Sequence, residues 1–249
     1  MLPVIPSQRQ VSRLLPVVSN RTGRYDCAQI MNGKEVVPFF GNAGRHSHGC
    51  AFAALVLKGG YEESGDAGRF DVREGDVILH QRFEAHCNRG SPLGAVILHV
   101  ALPGDADFQA GAGQLTDPDL IAREAERSPA SAAALLLQNT QMKQPRFRDW
   151  PEQLAAELSR NTALNLTSWS HEQGIAPWTV SRGFESVFGV SPSAFRVAAR
   201  ARHAWHAIRT TSEPLVDIAA RLGFADQAHM SRSVKYLTGN APRVWRTCK

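Results

Sequence analysis

No apolar run in this chain is long enough to cross a bilayer. The longest stretches free of charge are Cys50 to Leu57, Val77 to Gln81, Ala95 to Gly104 and Ser128 to Met142. The last is broken by polar Gln and Asn, and none supplies the ~18 apolar residues a span needs. Near the start, Pro3, Pro6 and Pro16 interrupt the apolar residues and Arg9 and Arg13 stand among them. The continuous apolar core of a signal peptide is missing there, and a cytoplasmic location with no membrane partner is expected. Cysteine is scarce: Cys27, Cys50, Cys87 and Cys248 show no CxxC spacing, so neither a disulfide framework nor a thiolate zinc site is indicated. A composition with 43% hydrophobic and 20% charged residues excludes a disordered chain, a collagen-like chain and a coiled coil. At 249 residues the chain has room for two domains.

The net charge of +5 is unevenly placed. Up to Leu115 there are 11 basic and 11 acidic residues, and from Thr116 to Trp150 there are 5 of each. From Pro151 to Lys249 there are 12 basic against 7 acidic, so the whole excess lies there. Ten of those twelve are arginine, whose forked donors suit phosphates and guanine edges. A basic surface alone is compatible with a merely solvated face.

The same region contains a repeat. Setting Ser181 to Arg196 above Ser231 to Arg246 matches Ser181 with Ser231, Arg182 with Arg232, Gly189 with Gly239, Pro192 with Pro242 and Arg196 with Arg246. Just upstream, with one extra residue in the second copy, Gln173-Gly174-Ile175 answers Leu222-Gly223-Phe224. Each copy reads as a helix, a tight turn and a second helix. In the later copy Pro214 opens a segment with Leu215, Ile218, Ala219 and Leu222 at helical spacing, ended by Gly223. The small Ala219 facing Gly223 is expected to allow close helix approach. Asp226 is placed to cap a helix with Met230, Val234 and Leu237 inward, stopped by Gly239. The earlier copy runs from Leu166 to a helix over Pro177 to Gly189. Ser193 to Arg209 is expected to be a helix ~25 Å long joining the two. That is a paired helix-turn-helix, its second helices free to enter a major groove.

These residues resemble the AraC/XylS class of bacterial transcription regulators over about Leu154 to Arg246. The resemblance rests on Leu222-Gly223-Phe224-Ala225-Asp226-Gln227, Ser231-Arg232, Gly239 with Pro242, and Trp245-Arg246. The first copy adds Ser181-Arg182-Gly183-Phe184, Phe188-Gly189-Val190-Ser191-Pro192 and Phe195. Three positions depart from the pattern: Ser170 where alanine is usual, Ala176 where a capping serine is usual, and Met230 where an aromatic residue or leucine is frequent. The resemblance implies DNA contacts from Trp178, Thr179, Ser181 and Arg182 in one reading helix. In the other it implies Gln227, His229, Ser231, Arg232 and Lys235. Two structural roles compete: Arg182 and Arg232 as ion-pair partners of Glu185 or Asp226, and Trp178 as packing.

From Tyr25 to Val100 the chain shows short runs, Val36 to Phe40, Phe52 to Leu57, Phe70 to Val72, Val77 to His80 and Ala95 to Val100, separated by Gly-containing turns. That pattern suits a β-sandwich or barrel. His46-Ser47-His48, with Gly75-Asp76 followed by His86, resembles the two motifs of cupin barrels. The resemblance implies that His46, His48 and His86 converge inside the barrel, as an effector-binding pocket, as plain core, or as ligands of a divalent metal. No cofactor is required by the first two. Phe52 or Ala53 stands where the motif has its glutamate, and Gln81 and Phe83 replace its usual Pro and Gly. His80 and His99 alternate among apolar neighbours and read as ordinary strand residues, with a place in the pocket as the alternative. Cys50 and Cys87 flank the motif histidines and admit a thiol- or metal-sensitive response.

The segment Leu102 to Gly113 reads as a loop leaving the barrel. Asp117-Pro118 starts a helix reaching Arg127, and Pro129 another toward Met142. Its Leu135, Leu136 and Leu137 suit either a subunit contact or internal packing. Pro145 to Asp149 reads as a linker.

The expected architecture is two domains, an all-β cupin-like barrel and an all-α paired helix-turn-helix domain. Their boundaries are 1–113 for the sensor, 114–150 for a helical linker and 151–249 for the DNA reader. The expected function is a non-enzymatic, sequence-specific transcription regulator whose barrel senses a small-molecule effector. Its partners are then duplex DNA and the effector, with RNA polymerase and a second copy of the chain also admitted. The competing reading is a cupin metalloenzyme using His46, His48 and His86.

Overall fold

The structure, a computed structural model, describes residues 24–25, 34–37, 41–104, 106–144 and 149–247. Cys27, Cys248, the proline-interrupted start of the chain and most of the linker read at Pro145 to Asp149 lie outside the described residues. Two compact units are present, Met1–Arg146 and Phe147–Lys249.

The first unit is built on a sheet of nine strands: β1 (Arg24–Tyr25), β2 (Lys34–Val37), β3 (Asn42–His48), β4 (Phe52–Gly65), β5 (Gly68–Arg73), β6 (Asp76–His80), β7 (Ala85–Ala101), β8 (Gly111–Gln114) and β9 (Gln141–Met142). Their order is β1-β3-β7-β4-β6-β8-β9, with β2 beside β7 and β5 beside β4. All pairings but β1 with β3 are antiparallel. The long strands β4 and β7 run together from Phe52 opposite Ala101 to Gly65 opposite His86, with register shifts near Lys58 and Gly59. Such irregularities bend and twist a pair of strands. The expected barrel is not closed among the described residues: its end strands, β1 and β9, have two residues each and do not pair with one another.

Side chains alternate across this sheet, and the alternation makes two cores. Ala51, Ala53, Leu55, Val77, Leu79, Leu98 and Val100 point to one face. There two helices cover them, α1 (Pro118–Arg127) and α2 (Pro129–Asn139), through Ile121, Ala125, Ala132 and Leu136. Asp117 accepts from the Leu120 amide and Ser128 from the Ser131 amide, so each helix is capped, with proline in its first turn. Leu136 is fully buried and Leu135 and Leu137 pack half-buried on the same core, so this leucine run packs internally. The segment read as a linker therefore belongs largely to the first unit, because its apolar stripe covers the sheet. Two further expectations are corrected: β8 pairs with β6 at the end of the segment read as a loop, and α2 stops at Asn139, followed by β9.

The second unit is all helix: α3 (Trp150–Arg160), α4 (Leu166–Glu172), α5 (Pro177–Phe188), α6 (Pro192–Thr210), α7 (Leu215–Arg221), α8 (Gln227–Thr238) and α9 (Pro242–Thr247). Val180, Phe184 and Phe188, one turn apart along α5, meet Phe195 of α6, Leu154 and Leu158 of α3 and Trp169 of α4 in one core. Buried Met230 and Val234 take the corresponding inward places on α8. Where the first copy sets the rings of Phe188 and Phe195 5.7 Å apart, the second places Thr238 and Trp245, and the indole Nε1 donates to the Thr238 hydroxyl at 2.8 Å.

Both copies are closed by the same device. Arg196 donates to the Leu164 carbonyl at 3.1 Å and Arg246 to the Glu213 carbonyl at 2.6 Å, just before α4 and α7 respectively. The turns hold Gly174 at φ 65° and Gly223 at φ 71°. A Cβ at either glycine would meet nothing within 4 Å, so the left-handed backbone requires glycine here, and the expected close approach to Ala219 does not.

Candidate nucleic-acid interface and buried histidine cluster

The two reading helices present their exposed faces as the repeat implies. On α5, burial of Val180, Phe184 and Phe188 turns Trp178, Ser181, Arg182 and Glu185 to solvent, with Thr179 half-buried. Trp178 is 67% exposed, which removes the packing alternative. On α8, Gln227, Arg232 and Lys235 are exposed, and Ser231 is half-buried. His229 is also half-buried, its ring edge-on to Phe224 at 5.3 Å, so it packs as well as borders the surface. Neither Arg182 nor Arg232 ion-pairs with Glu185 or Asp226. The Asp226 carboxylate instead accepts from the His229 amide at 2.6 Å as the cap of α8. Tyr236, 68% exposed on the same helix, was not singled out from the sequence; its counterpart in the first copy is Ser186.

Two of the departures from the AraC pattern have local consequences. Ser170 is buried and its hydroxyl donates to the Thr167 carbonyl at 2.8 Å, so the polar atom is satisfied within its own helix. Ala176 provides no side-chain cap, a loss of ~1 kcal/mol relative to serine. Arg200, on the connecting helix, donates to the Thr162 carbonyl at 2.8 Å and the Gly223 carbonyl at 3.0 Å, so it touches a segment of each copy.

In the first unit His46, His48 and His86 do converge. His46 and His86 are cross-strand partners on β3 and β7 with ring centroids 4.3 Å apart, and His48 lies 4.9 Å from His46 and 5.2 Å from His86. The Nδ1–H of His46 donates to the Gly44 carbonyl at 2.7 Å, which leaves Nε2 with its lone pair. Phe52, and not Ala53, stands on this face: its ring stacks on His80 at 4.4 Å and meets His48 edge-on at 4.8 Å. His80 is therefore part of the cluster, 4.4 Å from His86, and the reading of it as an ordinary strand residue is corrected.

A carboxylate is present after all, supplied by Glu63 of β4. Of the consecutive acids Glu62 and Glu63, period-two alternation turns one outward and one inward. Glu62 pairs with Arg69 at 2.9 Å and Arg89 at 3.3 Å, while Glu63 is buried with Oε1 3.6 Å from His80 Nε2. Burial pushes His80 down to about 3 and His99 to about 4, and the neighbouring imidazoles add to the effect on His80. Burial likewise holds His86 far below the usual imidazole range, and His46 below it despite its bond to Gly44. The Glu63 carboxyl is held well above the usual carboxylate range by burial and by Glu84. One ligand atom each from His46, His48 and His86 lie within 4.8 Å of one another, as do those from Glu63, His80 and His86. Neutral imidazole with a carboxylate is a donor set that fits zinc and its first-row neighbours. Cys50 and Cys87 are in no disulfide; burial raises the Cys87 thiol, whose Sγ lies 3.4 Å from the Ser64 carbonyl.

Residues 169–247 match the helix-turn-helix domain family. No curated protein matches the chain. Among solved structures, ToxT from Vibrio cholerae is similar at 11% identity, covering 87% of this chain and 98% of its own, with a TM-score of 0.41. The C-terminal domain of AraT, a response regulator from Geobacillus stearothermophilus, is similar at 21% identity over 42% of this chain and 88% of its own, with a TM-score of 0.38. A probable AraC family transcriptional regulator from Rhodopseudomonas palustris is similar at 21% identity over 38% of this chain and 92% of its own, with a TM-score of 0.36.

Proposed function

We infer that this chain, which carries an AraC-type helix-turn-helix domain over residues 169–247, is a DNA-binding transcription regulator whose N-terminal unit responds to a small-molecule effector. The observation that carries this reading is the duplicated helix-turn-helix, with two reading helices whose arginines, Arg182 and Arg232, are exposed and not ion-paired with their acidic neighbours. Arginine and glutamine read base edges, and Ser181, Ser231, Thr179 and Lys235 suit phosphates. The connecting helix α6, 19 residues long, spans ~28 Å, and with helix widths added it can seat two reading helices about one DNA turn apart.

The effector face is built on His46, His48 and His86. Buried imidazoles held neutral favour an uncharged ligand or a divalent ion over an anion, because charging them inside the sheet is costly. None of the described helices is long and apolar enough to cross a membrane, and this reading places the protein in the cytoplasm with its DNA. RNA polymerase and a second copy of the chain are the further partners that it names. The metalloenzyme reading gains the carboxylate it lacked, in Glu63, but names no substrate.

Titration of the full chain with duplex DNA at a series of salt concentrations tests the reading. Log affinity is expected to fall linearly with log salt, each neutralised phosphate adding a slope of ~0.9. A folded protein with undetectable or salt-insensitive DNA binding overturns it.

A further inference from the structure

We propose that Glu63, His80 and His86 form a binding site for a divalent first-row transition-metal ion, with a ligand set that shares only His86 with the cupin-like motif. The three residues come from β4, β6 and β7 and are 4%, 3% and 4% exposed. Their ligand atoms lie within 4.8 Å of one another. The separation of His80 Nε2 from Glu63 Oε1, 3.6 Å, is too long for a hydrogen bond. It is close to the ~3.4 Å that separates two ligands of a tetrahedral ion bound at ~2.1 Å. His86 Nδ1 is buried without a hydrogen-bond partner among the described residues, a costly state for a ring nitrogen that ligation would relieve. Opposite His86, Gly65 lets β4 run close to β7: a Cβ there would stand 2.9 Å from the His86 Cβ.

The chemistry selects the ligand class. Two imidazoles and one carboxylate bind zinc or iron(II) and leave coordination positions open. The ion's charge is offset by Glu63, whereas an anionic ligand would meet that same carboxylate, with Glu84 nearby, in a buried place. Glu84 is already engaged, accepting from the Gln81 amide at 2.9 Å. His46 is only half-buried beside His86, so the cluster has a side nearer to solvent by which an ion could enter. The open positions would suit a small oxygen- or nitrogen-donor molecule. The site deepens the sensor reading but rests on the first unit alone, so it stands or falls whether or not the chain binds DNA.

The test uses the full chain, stripped of metal with a chelator and titrated with Co2+ and Zn2+. The expected result is one equivalent bound per chain, with visible cobalt absorption. Glu63→Gln and His80→Gln should each weaken binding more than about tenfold, with the His171→Gln control, at an exposed residue of the second unit, near wild type. Absence of stoichiometric binding overturns the proposal. So does affinity kept in Glu63→Gln and lost in His48→Ala, which would put the ion on the motif histidines. Zinc K-edge absorption of the wild-type complex decides independently of how the variants fold: two imidazoles with a carboxylate oxygen are expected, and three imidazoles overturn the proposal. DNA titration of the same samples reports separately on the regulator reading.

Discussion

The amide of Phe83 donates to the carbonyl of His48 at 2.8 Å, tying the turn before His86 to the end of the strand that carries His46 and His48. Phe83 sits at φ 60° and is 2% exposed. The cupin-like motif has glycine at this place, so the left-handed backbone is kept by a residue that disfavours it and is held there by burial of its ring.

Removing that ring should therefore separate strain from packing. Phe83→Ala and Phe83→Gly both lose ~3 to 5 kcal/mol of ring burial, but glycine also releases the ~1 kcal/mol of left-handed strain. In denaturant unfolding of the first unit, Phe83→Gly is expected to be the more stable of the two. The reverse order would show that no such strain is stored there.

Arg182 and Arg232 occupy the same place in the repeat, yet α8 begins with the Asp226 cap and Gln227 while α5 begins at uncapped Ala176. Arg182→Ala is expected to cost ~1 to 3 kcal/mol at a specific site and to relax preference at one base pair. Arg232→Ala should weaken all sequences about equally and lower the salt slope by ~1. Binding-site selection with each variant is the check: an unchanged sequence preference for Arg182→Ala, or a relaxed one for Arg232→Ala, reverses the assignment.

Arg200 ties the Thr162 carbonyl, just before the first copy, to the Gly223 carbonyl in the turn of the second, so its loss should be felt when both are engaged at once. Arg200→Leu is expected to cost ~1.5 to 3 kcal/mol of stability in the second unit, the range for hydrogen bonds to a charged group. Its affinity should fall more for a site with two half-sites than for one. Equal losses on full and half sites would mean that Arg200 does not couple the copies.

The histidine cluster sets a pH dependence in the metal-free protein. Folded His80 and His99 titrate at about 3 and about 4, below the ordinary value of 6.5, so the unfolded chain takes up their protons first. Stability is present above pH 6.5 and is lost as pH falls toward those values, at ~1.4 kcal/mol per pH unit for each group. Glu63 has the opposite sign: with its carboxyl raised, its contribution is complete below 4.5 and is lost as pH rises. The melting midpoint of the first unit is expected to drop between pH 7 and 5. That of the second, where exposed His203 is lowered by partial desolvation and by Arg202, should move less. A first midpoint unchanged down to pH 5 would mean the imidazoles are not buried in neutral form.

The second unit could be read from sequence because it states its pattern twice. The cap at Asp226, the missing cap at Ala176 and the turns at Gly174 and Gly223 are local signals with local causes. The first unit hid what depends on pairing. Gly111–Gln114 has only glycine, alanine and glutamine, without β-branched residues to announce a strand. The helices starting at Pro118 and Pro129 were legible, but the sheet face that they cover was not. Glu63 was overlooked because the motif directs attention to the place held by Phe52, although the adjacent acids at 62 and 63 on a strand already require one to face inward. Tyr236 was missed because its counterpart Ser186 is unremarkable.

The unbroken α6 makes rotation as well as distance a fixed property of the reader. Each residue of an α-helix advances ~1.5 Å and turns ~100°, so one residue inserted between the copies would swing one reading helix out of phase with the groove. Seven residues restore the phase to within ~20° but lengthen the span by ~10 Å, about three base pairs. The spacing of half-sites this chain tolerates is thereby written into the helical pitch of its own connector, and bending the DNA is the remaining way to accommodate a different one.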